Sequence, residues 1–257
     1  MFTLFVILAV LTAMVGGAVL AARRFRISDD HSGGAVGVVL APCVLSLYLV
    51  AAAMAVVIGW EDFKSAEDDA IAEAGAAQSL YWSSTAFPEA EGEAVRSHLR
   101  TYAATVIEDD WPLMEGKGEL SPDGDDDLAA LAASVRVLSV SDTGDGLDRM
   151  TARQEMTNLS DARNQRADAA GDRIPPALLV LSVLSAVAVS VLPFAMIKRG
   201  AGTAYFWAAV NMVFVFGTIV MLLLMGNPYN GVLANDAGEM ENALENFDRS
   251  DVALELP

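Results

Sequence analysis

Arg163 and Arg166 stand three residues apart in a stretch of helical pattern, so their guanidinium groups share one helix face. Such a pair presents rigid forks of N–H donors, either to an external anion or to carboxylates of the chain itself. The acidity of the surrounding sequence favours the second use. The run Asp123-Gly124-Asp125-Asp126-Asp127 invites a calcium reading. An EF-hand loop needs glycine at its sixth position and glutamate at its twelfth. Counted from Asp123 these are Leu128 and Ser134, so the motif fails, and Asp142, Asp145 and Asp148 fail similarly. Both runs read as turns and helix caps. His31 and His98 stand apart from any metal or catalytic spacing. The chain shows no HExxH, no second cysteine, no glycine-rich phosphate loop and no nucleophile elbow. No enzyme activity, cofactor or metal centre is expected from these residues. Asn211 and Thr218 lie on one face of an apolar stretch, where they either bond a neighbouring helix or line a pore.

The elements that carry these residues follow from the way charge and apolarity are separated. The chain has 257 residues, 54% of them hydrophobic, yet its formal net charge is -18. Four apolar runs of spanning length contain no acidic residue: 2–22, 35–60, 176–197 and 203–226. A bilayer core requires about 20 residues of helix. A charge at its centre costs roughly 2.5–3.5 kcal/mol on insertion scales. The expected fold is therefore an all-α integral membrane protein, with hairpins at 1–60 and 175–226. The first run has no basic segment before it and reads as a retained anchor rather than a signal peptide. Cys43, the single cysteine, falls inside the second run and reads as a small buried residue.

Between the hairpins, segment 61–174 carries 10 basic and 25 acidic residues and lacks strand signatures. Ala66 to Leu80 is expected to continue the second span as a helix. Val95, Leu99, Tyr102 and Val106 recur at helical spacing after Pro88 and define one apolar face, extended by Trp111. A turn at Ser121-Pro122-Asp123-Gly124 precedes a second helix, with Leu128, Leu131, Val135 and Leu138 on its apolar face. A third runs from Leu147 through Met150 and Leu159 towards Arg173. In the tail 227–257, Leu233, Met240, Leu244 and Phe247 line a short amphipathic helix expected to pack on the acidic domain.

Orientation rests on the five basic residues of the short loops: Arg23, Arg24 and Arg26 after the first span, Lys198 and Arg199 after the third. Short loops rich in Arg and Lys stay in the cytoplasm. That places both termini and the acidic domain outside the plasma membrane. The net negative charge disfavours nucleic acid as a partner, leaving the lipid bilayer and further copies of the chain. Small residues recur every four positions at Ala9, Ala13, Gly17 and Ala21, and again at Ser182, Ala186 and Ser190. Such stripes mark close helix–helix contact, within one chain or between chains. Pro42 and Pro193 each remove one backbone bond within a span, a source of kinks.

Several motifs in order around the four spans give the chain a resemblance. They are Glu73 to Tyr81 (EAGAAQSLY), then Tyr102 to Gly116 (YAATVIEDDWPLMEG) with Trp111, Pro112 and Gly116, then Arg163-x-x-Arg166. A prolyl entry to the third span follows, and last Asn227-Pro228-Tyr229-Asn230-Gly231. Together they resemble the bestrophin-like family of bacterial and plant membrane proteins. The resemblance implies kinship to bestrophins, which are oligomeric anion channels with four helices per subunit and a cytoplasmic soluble region. The expected function is thus an oligomeric ion channel or transport-like protein. The alternative is an envelope sensor or scaffold whose acidic domain binds a ligand or partner.

Overall fold

The computed structural model describes residues 2–24, 31–139, 143–171, 175–197, 201–226, 228–229 and 234–254. All regular structure among them is helical. In chain order the helices are α1 (Phe2–Arg24), α2 (His31–Ser84), α3 (Glu89–Thr105), α4 (Trp111–Gly116), α5 (Pro122–Arg136), α6 (Thr143–Gly171), α7 (Pro176–Met196), α8 (Gly202–Leu224) and α9 (Gly238–Leu254). A π-helical turn, Val106–Asp110, joins α3 to α4. Among the described residues, four helices are long and apolar enough to cross a membrane. The chain divides into two compact units, Met1–Glu61 with Arg173–Gly226, and Asp62–Asp172 with Asn227–Pro257.

In the first unit α7 packs against α1 and α8. Its core draws on Val10 and Met14 of α1, Tyr48, Ala52 and Ala55 of α2, Ala186 and Val189 of α7, and Val215, Ile219 and Leu222 of α8. Large apolar side chains such as Phe5, Val50, Leu184 and Phe214 point outward, which suits helices whose solvent is hydrocarbon. The stripe Ser182, Ala186 and Ser190 is buried throughout. The stripe on α1 is offset from the interior: Ala21 is buried and Gly17 half-buried, whereas Ala9 and Ala13 are exposed. A helix turns 3.6 residues per turn, so a strict four-residue repeat drifts around the axis. The buried face follows Val10, Met14, Ala18 and Ala21 instead. Gly17 is needed for close approach, since a Cβ there would lie 2.8 Å from Val191 Cγ2.

The second unit is built from the C-terminal part of α2 with α3, α4, α5, α6 and α9. α2 is a single helix of 54 residues, and the sequence turns from apolar to charged at Trp60-Glu61. The main core gathers Leu80 and Tyr81 from α2, Val95, Leu99 and Tyr102 from α3, Leu131 and Val135 from α5, Met156 and Leu159 from α6, and Met240 and Phe247 from α9. Phe247 stacks on Tyr81 with ring centroids 4.1 Å apart, and Met240 and Ala243 are buried beside it. Leu244 packs against the same core, while Leu233 lies outside the described residues.

Local details depart from expectation at three places. Pro122, Asp123 and Gly124 are the first turn of α5, and Ser121 is its cap, accepting from the Asp123 N–H at 3.2 Å. Proline at the first helical position and acids in the first turn favour a helix start as much as a turn. α6 begins at Thr143, earlier than Leu147, and Leu147 and Met150 are 63% and 69% exposed. Its buried face starts at Ala152, where the helix meets the core. Finally, the helix after Pro88 does not run unbroken to Trp111. Pro112 has no N–H to extend an α-helical ladder, and the wider π-turn intervenes, with the Trp111 N–H bonding Val106 O.

Candidate functional site

The second unit places ionised side chains on the apolar faces of three of its elements. On α2, Ala66, Ala70, Ala77 and Leu80 are buried at helical spacing, and Glu73 falls on that stripe. Along α3 and the π-turn the buried series is Val95, Leu99, Tyr102, Val106, then Asp110. Along α6 it is Ala152, Met156, Leu159, Arg163, Arg166 and Ala170. All four charged groups are buried, so each must find its partner within the fold.

They find one another. Arg166 donates through Nε to Glu73 Oε2, through Nη2 to Glu73 Oε1 at 3.0 Å, and through Nη2 to Asp110 Oδ2 at 2.8 Å. Its Nη1 faces Met114 Sδ at 3.1 Å, and its guanidinium lies over the Trp111 ring, 5.1 Å from the centroid. Arg163 donates through Nη1 to Asp110 Oδ2 at 2.5 Å, through Nη2 to Ser121 O at 3.0 Å and through Nε to Asp125 Oδ1 at 2.9 Å. Asp110 also accepts from the Ser121 N–H at 2.8 Å, and the Tyr102 hydroxyl donates to Glu73 Oε1. Gly124 makes room for Arg163, because a Cβ there would meet Nη2 at 2.5 Å.

The cluster thus ties α2, α3, the π-turn, α4, α5 and α6 together through two guanidiniums. Burial alone would lower the pKa of each arginine, but the carboxylates and Tyr102 outweigh it and hold both above the ordinary value. Burial and then the Glu73 charge push the Tyr102 phenol well above its ordinary range, so it stays a hydrogen-bond donor. With every nitrogen of both guanidiniums facing a partner inside the chain, the arrangement is a cross-brace rather than an open anion cradle. A smaller ion-pair group fastens α9: Arg100 donates to Asp248 at 2.7 Å, to Asp251 at 2.6 Å and to the Tyr81 hydroxyl at 3.0 Å.

Other residues singled out in the sequence are more dispersed. Trp111 donates to Asn235 O at 3.3 Å and meets Tyr229 edge-on at 6.0 Å. Pro112 and Gly116 are exposed, Pro228 is buried, and Asn227 and Gly231 lie outside the described residues. Asp125 and Asp127 serve Arg163 and the Thr105 hydroxyl respectively. In the first unit the Thr218 hydroxyl returns to its own helix at Phe214 O, 3.1 Å away. Asn211 lines an apolar cavity of about 500 Å³ between α2, α7 and α8. Sequence reasoning missed Glu73 and Asp110 as the partners of the arginines. The signal was present: a charge at a helical step on an otherwise apolar face.

These features define a four-span helical membrane protein whose second unit is braced by a buried ion-pair cluster. The family model of the bestrophin-like domain matches residues 4–234, and the chain belongs to the bestrophin-like family. Its fold is similar to the crystal structure of a point mutant of a bacterial bestrophin homologue from Klebsiella pneumoniae. The likeness has a TM-score of 0.58 at 14% identity and covers 99% of this chain and 98% of that one. Among curated proteins none matches.

Proposed function

We propose that this chain is one subunit of an oligomeric, ion-conducting membrane protein of the plasma membrane. The observation that carries the reading is the likeness to a bestrophin homologue over nearly the whole of both chains. The short loops carry Arg23, Arg24, Arg26, Lys198 and Arg199, which favours their cytoplasmic placement, with two hairpins and an extracytoplasmic acidic domain at 61–174. The acidic domain, with 25 acidic and 10 basic residues, attracts cations rather than anions, so the expected permeant ion is a cation rather than the anion that bestrophin kinship implies. The tail 227–257, with its α9 docking, belongs to the same external body. One observation favours the scaffold reading: the Thr218 hydroxyl is spent on its own backbone, which leaves that span with little polar lining.

Purified protein in liposomes tests the reading by efflux of sodium and of chloride down matched gradients. Sodium efflux above protein-free liposomes is expected, and absence of both fluxes overturns it. Orientation is tested separately by single cysteines replacing the exposed Asp126 and Glu245 in a Cys43→Ser background. An impermeant maleimide should label both on intact cells; labelling only after lysis reverses the topology.

A further inference from the structure

The second unit leaves two surfaces open whose chemistry is complementary. The first lies where α5 ends and α6 begins. Arg136 closes α5 and Val137 caps it, and both are exposed. The Arg153 guanidinium donates through Nη2 to the Arg136 carbonyl at 3.2 Å, which sets it beside the Val137 backbone. Met150 stands three residues before Arg153, and Leu147 three before Met150, so the three follow one face of α6. Val137, Leu147 and Met150 are all exposed. Among the described residues neither Arg136 nor Arg153 has a carboxylate partner. Asp145 and Asp148 are half-buried on the far side of the helix from Met150. Segment 61–174 carries 25 acidic and 10 basic residues, so a corner both apolar and basic stands out in it.

The second surface is the outer side of the last turns of α9. The helix is held by its inner side, through Phe247 on Tyr81 and through Asp248 and Asp251 to Arg100. Outward, Asp248, Arg249, Val252 and Ala253 line an open recess of about 330 Å³, and Val252 is 81% exposed. α9 carries five acidic residues and one arginine, and that Arg249 is paired with Glu245 at 2.9 Å. Its last turn holds no basic residue, so the negative end of the helix dipole lacks the cation that would favour it. The corner of α5 and α6 offers what this end lacks: two guanidiniums beside apolar side chains that match Val252 and Ala253. With its inner side docked on its own core, α9 turns this outer side towards other molecules. Two different, complementary surfaces on one body make a head-to-tail contact, which repeats from copy to copy and closes into a ring where the rotation allows. We propose that the corner of α5 and α6 docks on the outer end of α9 of a second copy, with Met150 at the Val252 recess and Arg136 and Arg153 beside the acidic end of the helix. Glu245, a turn back, stays at the rim. This inference rests on the reading of the chain as an oligomer and names the surfaces that join.

The test is a short bis-maleimide applied to the full chain in detergent, with Met150→Cys and Val252→Cys together in a Cys43→Ser background. Both positions are exposed, so the substitutions leave the core untouched. The double variant should run as a ladder of crosslinked chains on a denaturing gel, whereas each single variant should stay a monomer. Co-expressed single variants should give dimers and nothing larger, since each chain then offers only one half of the contact. Met150→Cys with Asp126→Cys, an exposed position outside the contact, should give no ladder. Arg136→Glu with Arg153→Glu in the double-cysteine chain should lose most of the ladder. Native mass spectrometry of the same samples counts the copies. An intact oligomer without crosslinks overturns this contact and leaves the oligomeric reading standing; a monomer overturns both. A crosslink that stays at monomer mass, a dimer from either single variant alone, or an equal ladder with Asp126→Cys also overturns the proposal. The double-cysteine result decides the matter even if the glutamate variants fail to fold.

Discussion

Removing the Glu73 charge tests the cross-brace most sharply. Glu73→Gln keeps the volume of the side chain and an acceptor for the Tyr102 hydroxyl. It leaves the fully buried Arg166 sharing the single carboxylate of Asp110 with Arg163. Breaking a buried pair by neutralising one partner costs about 3–5 kcal/mol, because the remaining charge stays out of water without compensation. For a body of this size about 1 kcal/mol moves the melting temperature by roughly 2–4 °C, so a drop of about 6–20 °C is expected. Removing the pair together as Glu73→Gln with Arg166→Met should cost less than the sum of the single changes, since an absent cation needs no counter-charge. The assay is thermal unfolding of the purified protein in detergent, followed by circular dichroism for the four members of the cycle. A Glu73→Gln melting point within about 2 °C of the parent would refute the reasoning. Strict additivity in the double variant would do the same.

Phe247→Ala removes a buried ring stacked on Tyr81 and should cost about 3–5 kcal/mol; hydrogen exchange should show α9 losing protection before the rest of the second unit. Burial, aided by Asp68 and Glu73, raises the pKa of Asp69, so the folded state holds that proton to higher pH than the unfolded state does. Stability therefore falls as pH rises from 3.8 through the raised value, and the penalty persists above it. Asp69→Asn should be more stable than the parent at pH 7, with the advantage shrinking as pH is lowered towards 3.8 in parallel melts. Ser182 and Ser190 bury hydroxyls with no hydrogen-bond partner among the described residues, so Ser→Ala at either should leave the melting point unchanged or raise it. Gly17→Leu, by contrast, drives a side chain into Val191 and should lower the yield of folded protein on size exclusion.

The spans were readable because hydrocarbon tolerates so little charge that four uncharged runs leave few alternatives. The amphipathic helices were readable wherever apolar residues kept helical spacing, as at Val95, Leu99, Tyr102 and Val106. The start of α6 was misread because Leu147 and Met150 look like core residues but precede the turn at which the helix meets the core. The π-turn left no pattern beyond Pro112, since an inserted residue alters the face without altering composition. The arginines were found from spacing alone, but their partners were not. Glu73 and Arg166 are 93 residues apart, and Asp110 and Arg163 are 53 apart. Pairing at that separation is decided by tertiary packing. What the sequence did hold was the anomaly on each helix: Glu73 among alanines, Asp110 after Val106, and Arg163 and Arg166 after Leu159.

The reading as a conducting subunit is tested most directly by recording from the purified protein in a planar lipid bilayer under a salt gradient. The account predicts discrete currents whose reversal potential lies towards the cation equilibrium potential. A bilayer that stays silent after verified incorporation, or currents reversing at the chloride potential, would contradict it.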